Sequence, residues 1–329
     1  MEEIPNKTRD ILGIMVDVDL KTSPAGEYIE ISVDPYPYPV SCRGQYHYRS
    51  GSTKQELKGA ALDRFLLQKQ GRHWDGVPVP RIGQADLDRA AIAVFRERAS
   101  LSGRLSFDIL GEPDSSLLEK LHLTDGTRLK RAAVLLFHPD PEAMVTGAYV
   151  KIGYFRNDSD IAFHDDIHGN LFSQAGKTLD LLTTKYLKAG ISYDGLQRRE
   201  ELPVPEAALR EAILNAVVHK DYAAGVPVQV SVYDHALMIW NPGVLPQGWT
   251  VETLTGKHPS LPPNPEIANT FFRAGMIEAW GRGIGRIMEA CSASGSLPPR
   301  FRTDGAGLWV EFTFPAATSQ ETSQETSQE

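Results

Sequence analysis

Two cysteines in 329 residues, Cys42 and Cys291, are too few and too far apart for a disulfide framework, a zinc site or a redox pair. Such sparing use of cysteine fits a reducing compartment, so the chain is expected in the cytoplasm. No apolar run approaches 18 residues, which excludes a transmembrane helix. The opening MEEIPNKTRDILG lacks the apolar stretch of a signal peptide. Positive charge is short as well: 34 Lys and Arg stand against 42 Asp and Glu, a formal net charge of −8. That balance offers no global field for a polyanion and argues against a protein that coats DNA.

What is present reads as globular. Hydrophobic residues make up 41% and charged residues 23% of a chain long enough for two cored domains. Asp10–Asp19 (DILGIMVDVD) and Tyr28–Val33 (YIEISV) have strand character, and the prolines of PYPYPV suit a turn or sheet edge. A helix is expected near Lys54–Gln70, a Pro- and Gly-rich connector over 72–84, and a second helix over 85–103. AAVLLF, 132–137, has the continuous apolar run of a buried strand, with AYVKIGYF, 148–155, as its neighbour. A helix follows near Leu171–Lys188. Residues 226–243 read as a hairpin turning at Asp234-His235, and LWVEFTF, 308–314, as a final strand. Pro265–Ala274 reads as a short helix with Asn264 as N-cap and Gly275 closing it. The TSQE repeats from Thr318 to Glu329 contain no apolar residue and are expected to form a disordered tail.

The informative stretch is REAILNAVVHKDY, Arg210–Tyr222. At 100° per residue, Leu209, Ala212, Ile213, Ala216 and Val217 make a core-facing arc. Glu211, Asn215 and His219, spaced four apart, form a polar stripe where a surface helix would carry Lys and Glu. An amide oxygen such as that of Asn215 suits Mg²⁺ beside phosphate oxygens and waters. A carboxylate one turn earlier, Glu211, could orient or deprotonate a water. His219 either faces the same ligand or packs against Asp221-Tyr222. About 40 residues beyond the hairpin, Gly281-x-Gly283-x-Gly285 opens a helix, and glycines there let backbone N–H groups approach phosphate.

This order of an acid–amide helix, a hairpin ending Asn241-Pro242-Gly243, and a glycine-rich helix start resembles the GHKL (Bergerat-fold) ATP-binding domain. The wording EAILNAVVHKDY, SLPPNPEIANTFF and GMIEAWGRGIGRI resembles, more narrowly, the RecG-related transcriptional regulators, which join a Schlafen-type AlbA-like domain to a divergent GHKL domain. The resemblance implies an α/β (α+β) protein. Its parts would be a partial AlbA-like N-terminal domain over 1–80, entered midway, a helical connector over 81–125, a GHKL-type α/β sandwich over 126–315 and the tail over 316–329. It implies ATP and Mg²⁺ as cofactors, with Asn215 on the metal. Glu211 would be the catalytic group, and His219, Asn241, Gly243, Gly281, Gly283 and Gly285 would line the nucleotide. Asn241 stands where the family pattern carries Asp, and Leu245 where it carries a second glycine.

Three functions remain open on this reading. One is an ATP-binding transcriptional regulator. The others are a slow Mg²⁺-dependent ATPase and an oligomerising scaffold with a degenerate nucleotide site. The expected partners are DNA, bound weakly and without sequence preference, and further copies of the chain. A helicase motor is not expected. Gly176-Lys177-Thr178 imitates the end of a P-loop, but the position five before Gly176 is Leu171 instead of glycine. HDDIH, His164–His168, is expected to be a solvated loop rather than a metal site.

Overall fold

The computed structural model describes residues 3–33, 38–50, 52–194, 197–246 and 248–314. The TSQE repeats, and Pro35, Tyr36 and Pro37 of the proline-rich stretch, lie outside the described residues. The chain divides into two compact units, Met1–Trp74 and Asp75–Glu329. Among the described residues, no helix is long and apolar enough to cross a membrane.

The first unit holds a helix at Glu3–Leu12, a hairpin of Asp17–Ser23 with Gly26–Ser32, a second hairpin of Tyr46–Ser50 with Thr53–Leu57, and a helix at Gly59–Lys69. The DILGIMVDVD stretch is therefore split, its first turn closing a helix and only its end entering a strand. Residues 54–57 pair as strand rather than opening the helix, because TKQEL finds a partner in YHYRS.

The second unit is a mixed α+β fold. The elements that build its sheet and the helices used below, in chain order, are α1 (Arg89–Ser102), α2 (Arg131–Phe137), β1 (Val150–Asn157), β2 (Asp160–Ile167), α3 (Leu171–Leu181) and α4 (Glu206–Val218). Then come β3 (Val228–Val232), β4 (Ala236–Pro242), α5 (Pro265–Arg273), α6 (Gly283–Ser294), β5 (Arg300–Thr303) and β6 (Gly307–Thr313). Six strands form one sheet in the order β5-β6-β4-β3-β1-β2. Only β3 and β1 run parallel, with Val230 opposite Ile152; the other pairs are antiparallel. The β3–β4 hairpin turns where the sequence places it.

Side chains alternate along the strands, so Val150 and Ile152 of β1 and Val228, Val230 and Val232 of β3 point into the core. The helices α3 and α4 cover that face. Between β2 and β3 the chain must cross over to lay β3 parallel to β1, and these two helices make the crossover. A second cluster lies among α1, α2, α3 and α5. There Phe95, Phe137 and Phe172 meet at 5.9–6.2 Å between centroids, and Phe271 stacks on Phe172 at 4.8 Å. The helices over 89–137 thus belong to the same core as the sheet.

Two expected elements differ. AAVLLF forms α2, with every residue from Ala132 to Phe137 buried. A short apolar run buried on all sides has no periodicity by which to tell strand from helix. HDDIH is not a loop: His164–Ile167 lie on the edge strand β2, with Asp165 held by Lys185 Nζ and Tyr186 Oη, each at 2.6 Å. Gly176-Lys177-Thr178 sits inside α3, with no loop that could wrap a phosphate.

Asn264 occupies the N-cap position of α5, yet its amide donates to the carbonyls of Val218 and Lys220 at 2.9 and 2.8 Å. The cap comes from far away. Asp75 Oδ2 accepts from the backbone N–H groups of Glu266 and Ile267 at 2.9 and 3.1 Å. Asp75 is wholly buried, which, with the neighbouring Glu266 carboxyl, pushes its pKa up to about 9. Burial alone would raise Glu266 too, but hydrogen bonding to Asp75 and the nearby Lys130 lower it. Of the two carboxyls, Asp75 is the one whose protonated form these surroundings favour. Unfolding releases that proton above the ordinary carboxylate range, so its stabilising effect is present at low pH and lost as pH rises toward 9. Asp75→Asn keeps an acceptor oxygen and removes the titration. Its stability in urea should therefore fall less than that of the wild type between pH 6 and 9, by up to about 1.4 kcal/mol per pH unit. Parallel curves for the two proteins would refute the protonated Asp75.

Candidate functional site

The site is built on α4. Leu209, Ala212, Ile213, Ala216 and Val217 are buried as the arc requires, but Ala208, Leu214 and Val218 are buried too. A helix covered all round lies inside the fold. Here α4 rests on the sheet at β4 and is flanked by α3 and α6. Its polar stripe faces protein rather than bulk water, and Glu211 is only 4% exposed.

Gly283, the first residue of α6, lies directly against that stripe. A Cβ at this position would stand 2.6 Å from Glu211 Oε1 and 2.9 Å from Asn215 Nδ2, so a larger residue would push both side chains aside. Gly281 has a left-handed backbone, φ +66°, and a Cβ there would meet the His258 carbonyl oxygen at 2.6 Å. Gly285 has nothing within 4 Å and is not part of this approach. A cavity of about 40 Å³ remains between the helix and the loop. It is lined by Glu211, Asn215 and His219 of α4, Ser260 and Pro262 of the preceding segment, and Gly281–Gly283.

Of the residues predicted from sequence, Glu211, Asn215, His219, Gly281 and Gly283 meet at one place. Asn241 and Gly243 do not line the cavity. They sit behind it, where the Pro242 carbonyl accepts from Asp221 N–H at 2.7 Å and Asn241 Nδ2 approaches the same oxygen at 3.3 Å.

The electrostatics follow from burial. Desolvation raises the Glu211 pKa, and the positive charges of Arg286 and Arg210 offset this only in part. Among the described residues no hydrogen-bond donor reaches the Glu211 carboxyl. Packed round by protein and close to His258, the half-buried His219 imidazole is brought down to about 4 and is neutral at physiological pH. Lys220, next in the chain, donates from Nζ to the Gly147 carbonyl at 2.9 Å and lies 4.2 Å over the Tyr222 ring. Burial lowers its pKa to about 7.

Sequence reading missed several residues that shape the site. His258 packs edge-on against Trp249 at 4.8 Å and covers Gly281. Glu278 joins Arg104 at 2.8 Å and Arg286 at 3.3 Å, and Arg104 also donates to the carbonyls of Phe272 and Ile277. No local spacing announces these contacts, since Arg104 lies more than 160 residues before its partners. Among the described residues, no cluster of three His, Cys, Asp or Glu is arranged to hold a metal ion.

The layered sheet with α4 and a glycine-led α6 is a mixed α/β sandwich. Over all, its fold is similar to the crystal structure of the DIP2311 protein from Corynebacterium diphtheriae, with a TM-score of 0.60 and 19% sequence identity. The match covers 95% of this chain, which spans 62% of that one. Residues 225–312 match the family model described as "Putative ATP-dependent DNA helicase recG C-terminal". That stretch runs from β3 through the glycine loop to β6. It leaves out α4, so Glu211 and Asn215 precede the matched segment. No curated protein matches the chain.

An acid whose folded pKa is raised lowers stability once the pH exceeds its ordinary value. Glu211→Gln keeps the shape and removes the buried charge. The variant should melt above the wild type at pH 7.5, and the difference should vanish near pH 4, where the wild-type carboxyl is protonated. A variant that melts below the wild type at pH 7.5 would mean that the carboxylate is stabilised by partners not identified in this fold.

Proposed function

We propose that this protein is a nucleotide-responsive regulator whose second unit binds ATP with Mg²⁺ between α4 and the glycine loop. The observation that carries the reading is the close approach of the Gly283 backbone to the acid–amide pair Glu211 and Asn215, which a side chain at this position would disturb. The similarity of residues 225–312 to the RecG C-terminal family supports it.

The donor set fits a magnesium–triphosphate group. Asn215 supplies a hard amide oxygen, and Gly281 and Gly283 supply unshielded backbone at the N-terminus of a twelve-residue helix. The volume does not fit in this arrangement, since pockets for ligands of this size run to roughly 300–1,000 Å³. Binding therefore requires the loop and the segment carrying His258 to move off α4, as lids do in many nucleotide sites. A bound nucleotide would supply the phosphate charge that the glycine loop and α6 are placed to meet. Glu211, whose protonated form burial favours, is suited to take or hold a proton beside it. A slow ATPase is the enzymatic form of this reading.

A second reading has its own observation: Asn241 is not among the residues that line the cavity. This favours an oligomerising scaffold with a degenerate nucleotide site. Thermal melting separates the two. Millimolar ATP with Mg²⁺ should raise the melting temperature of the wild type, by about 2.7 kcal/mol of stabilisation at a hundredfold excess over Kd. Asn215→Ala should abolish the rise. A wild type that ATP leaves unmoved would favour the scaffold.

Control of transcription, self-association and weak contact with DNA belong to the same proposal. The hairpin of the first unit supports self-association. Leu20, Ile29 and Ile31 lie on one of its faces and are each about half exposed. The net charge of −8 leaves few phosphates to be neutralised. Light scattering should find more than a monomer, and DNA titration an affinity no tighter than about 10⁻⁶ M that falls steeply with salt. A monomer with nanomolar affinity for one sequence would overturn this part.

A further inference from the structure

Resting on the nucleotide reading above, we propose that the base of a bound nucleotide is held by stacking on Trp280 and is not read by Asn241. Asn241 ends β4 in the ladder opposite Leu308, is 5% exposed, and directs its Nδ2 to the Pro242 carbonyl. A Cβ on Gly307 would stand 2.5 Å from the Asn241 carbonyl oxygen, so the strand beside it leaves no slack. In this arrangement the amide engages its own chain and does not line the cavity.

Trp280 is placed differently. Its chain neighbours on both sides form the cavity wall, with Glu278 before it and Gly281 and Arg282 after it. The left-handed turn at Gly281, which lies against His258, follows the indole directly in the chain. Trp280 is 78% exposed and makes no ring contact or hydrogen bond with any described residue. Arg282 is exposed beside it and forms no ion pair with a described residue. An exposed indole and an exposed guanidinium in the loop whose glycines face an acid and an amide suit a nucleoside triphosphate. The phosphates would lie toward the glycines and the base would lie flat on the aromatic face. Aromatic stacking accepts any base because every base has a π-face, whereas an Asn at the base edge discriminates between purines.

The consequence is tight dependence on Trp280 with little choice of base. The experiment is calorimetric titration of the full chain with Mg-ATP, Mg-GTP and inorganic triphosphate, for the wild type and for Trp280→Ala, Trp280→Phe and Asn241→Ala. ATP and GTP should bind the wild type within about threefold of each other. Trp280→Ala should weaken both by about tenfold or more and leave inorganic triphosphate unchanged, while Trp280→Phe should retain most of the affinity. Because the side chain is exposed, the melting temperature of Trp280→Ala should match that of the wild type. ATP bound tenfold more tightly than GTP, with the preference lost in Asn241→Ala and untouched in Trp280→Ala, would overturn the stacking assignment and leave the nucleotide site standing. Failure of all three ligands to bind the wild type would overturn the nucleotide reading and this inference with it.

Discussion

The approach of Gly283 to Glu211 and Asn215 is the constraint on which the site depends. It brings the start of α6 onto the middle of α4, and α4 can receive it only because the helix is buried on its other sides by the sheet, α3 and α6. The same contact gives the buried acid and the half-buried amide of this helix a common neighbour. Replacing either with an apolar residue would add burial to α4, and the resulting wall would have no chemistry. A buried carboxyl without a donor is unfavourable in itself, a feature expected where a site is kept ready for a ligand.

A second constraint keeps that contact in register. The segment from 264 to 278 is tied at its start by Asn264 to the end of α4 and by Asp75 to the N-terminus of α5. At its end Arg104 ties it through the carbonyls of Phe272 and Ile277 and the carboxylate of Glu278. The ties from Asp75 and Arg104 come from residues before the sheet, so that part of the chain acts as a brace for the loop. Glu278 then hands the connection to Arg286, whose charge reaches Glu211. Displacement of the brace would be felt at the acid.

Much of the second unit was legible in the sequence. The β3–β4 hairpin, α5, α6 and the final strand follow from alternation, capping positions and glycine placement, which are local signals. The acid–amide stripe was legible because its spacing of four contradicts a solvated surface. What could not be read was long-range. AAVLLF is helix because its surroundings bury every side, and no period within six residues records that. Asn264 sits at the cap position but serves α4, since Asp75 reaches α5 from almost 200 residues away. Asn241 and Gly243 follow the hairpin as expected, yet they are not among the residues that line the cavity. His258 and Trp280 carry no motif, and only their positions over and beside Gly281 bring them to the site.

The central claim is that the glycine loop rests closed on α4 and opens to admit a triphosphate. The most direct measurement is a crystal structure grown with ATP and Mg²⁺. The account predicts density for metal-bound phosphates beside Asn215, with Gly281–Gly283 lifted from Glu211 and the segment around His258 displaced. A loop still seated on Glu211 and Asn215, with no density beside them at saturating ATP, would contradict it.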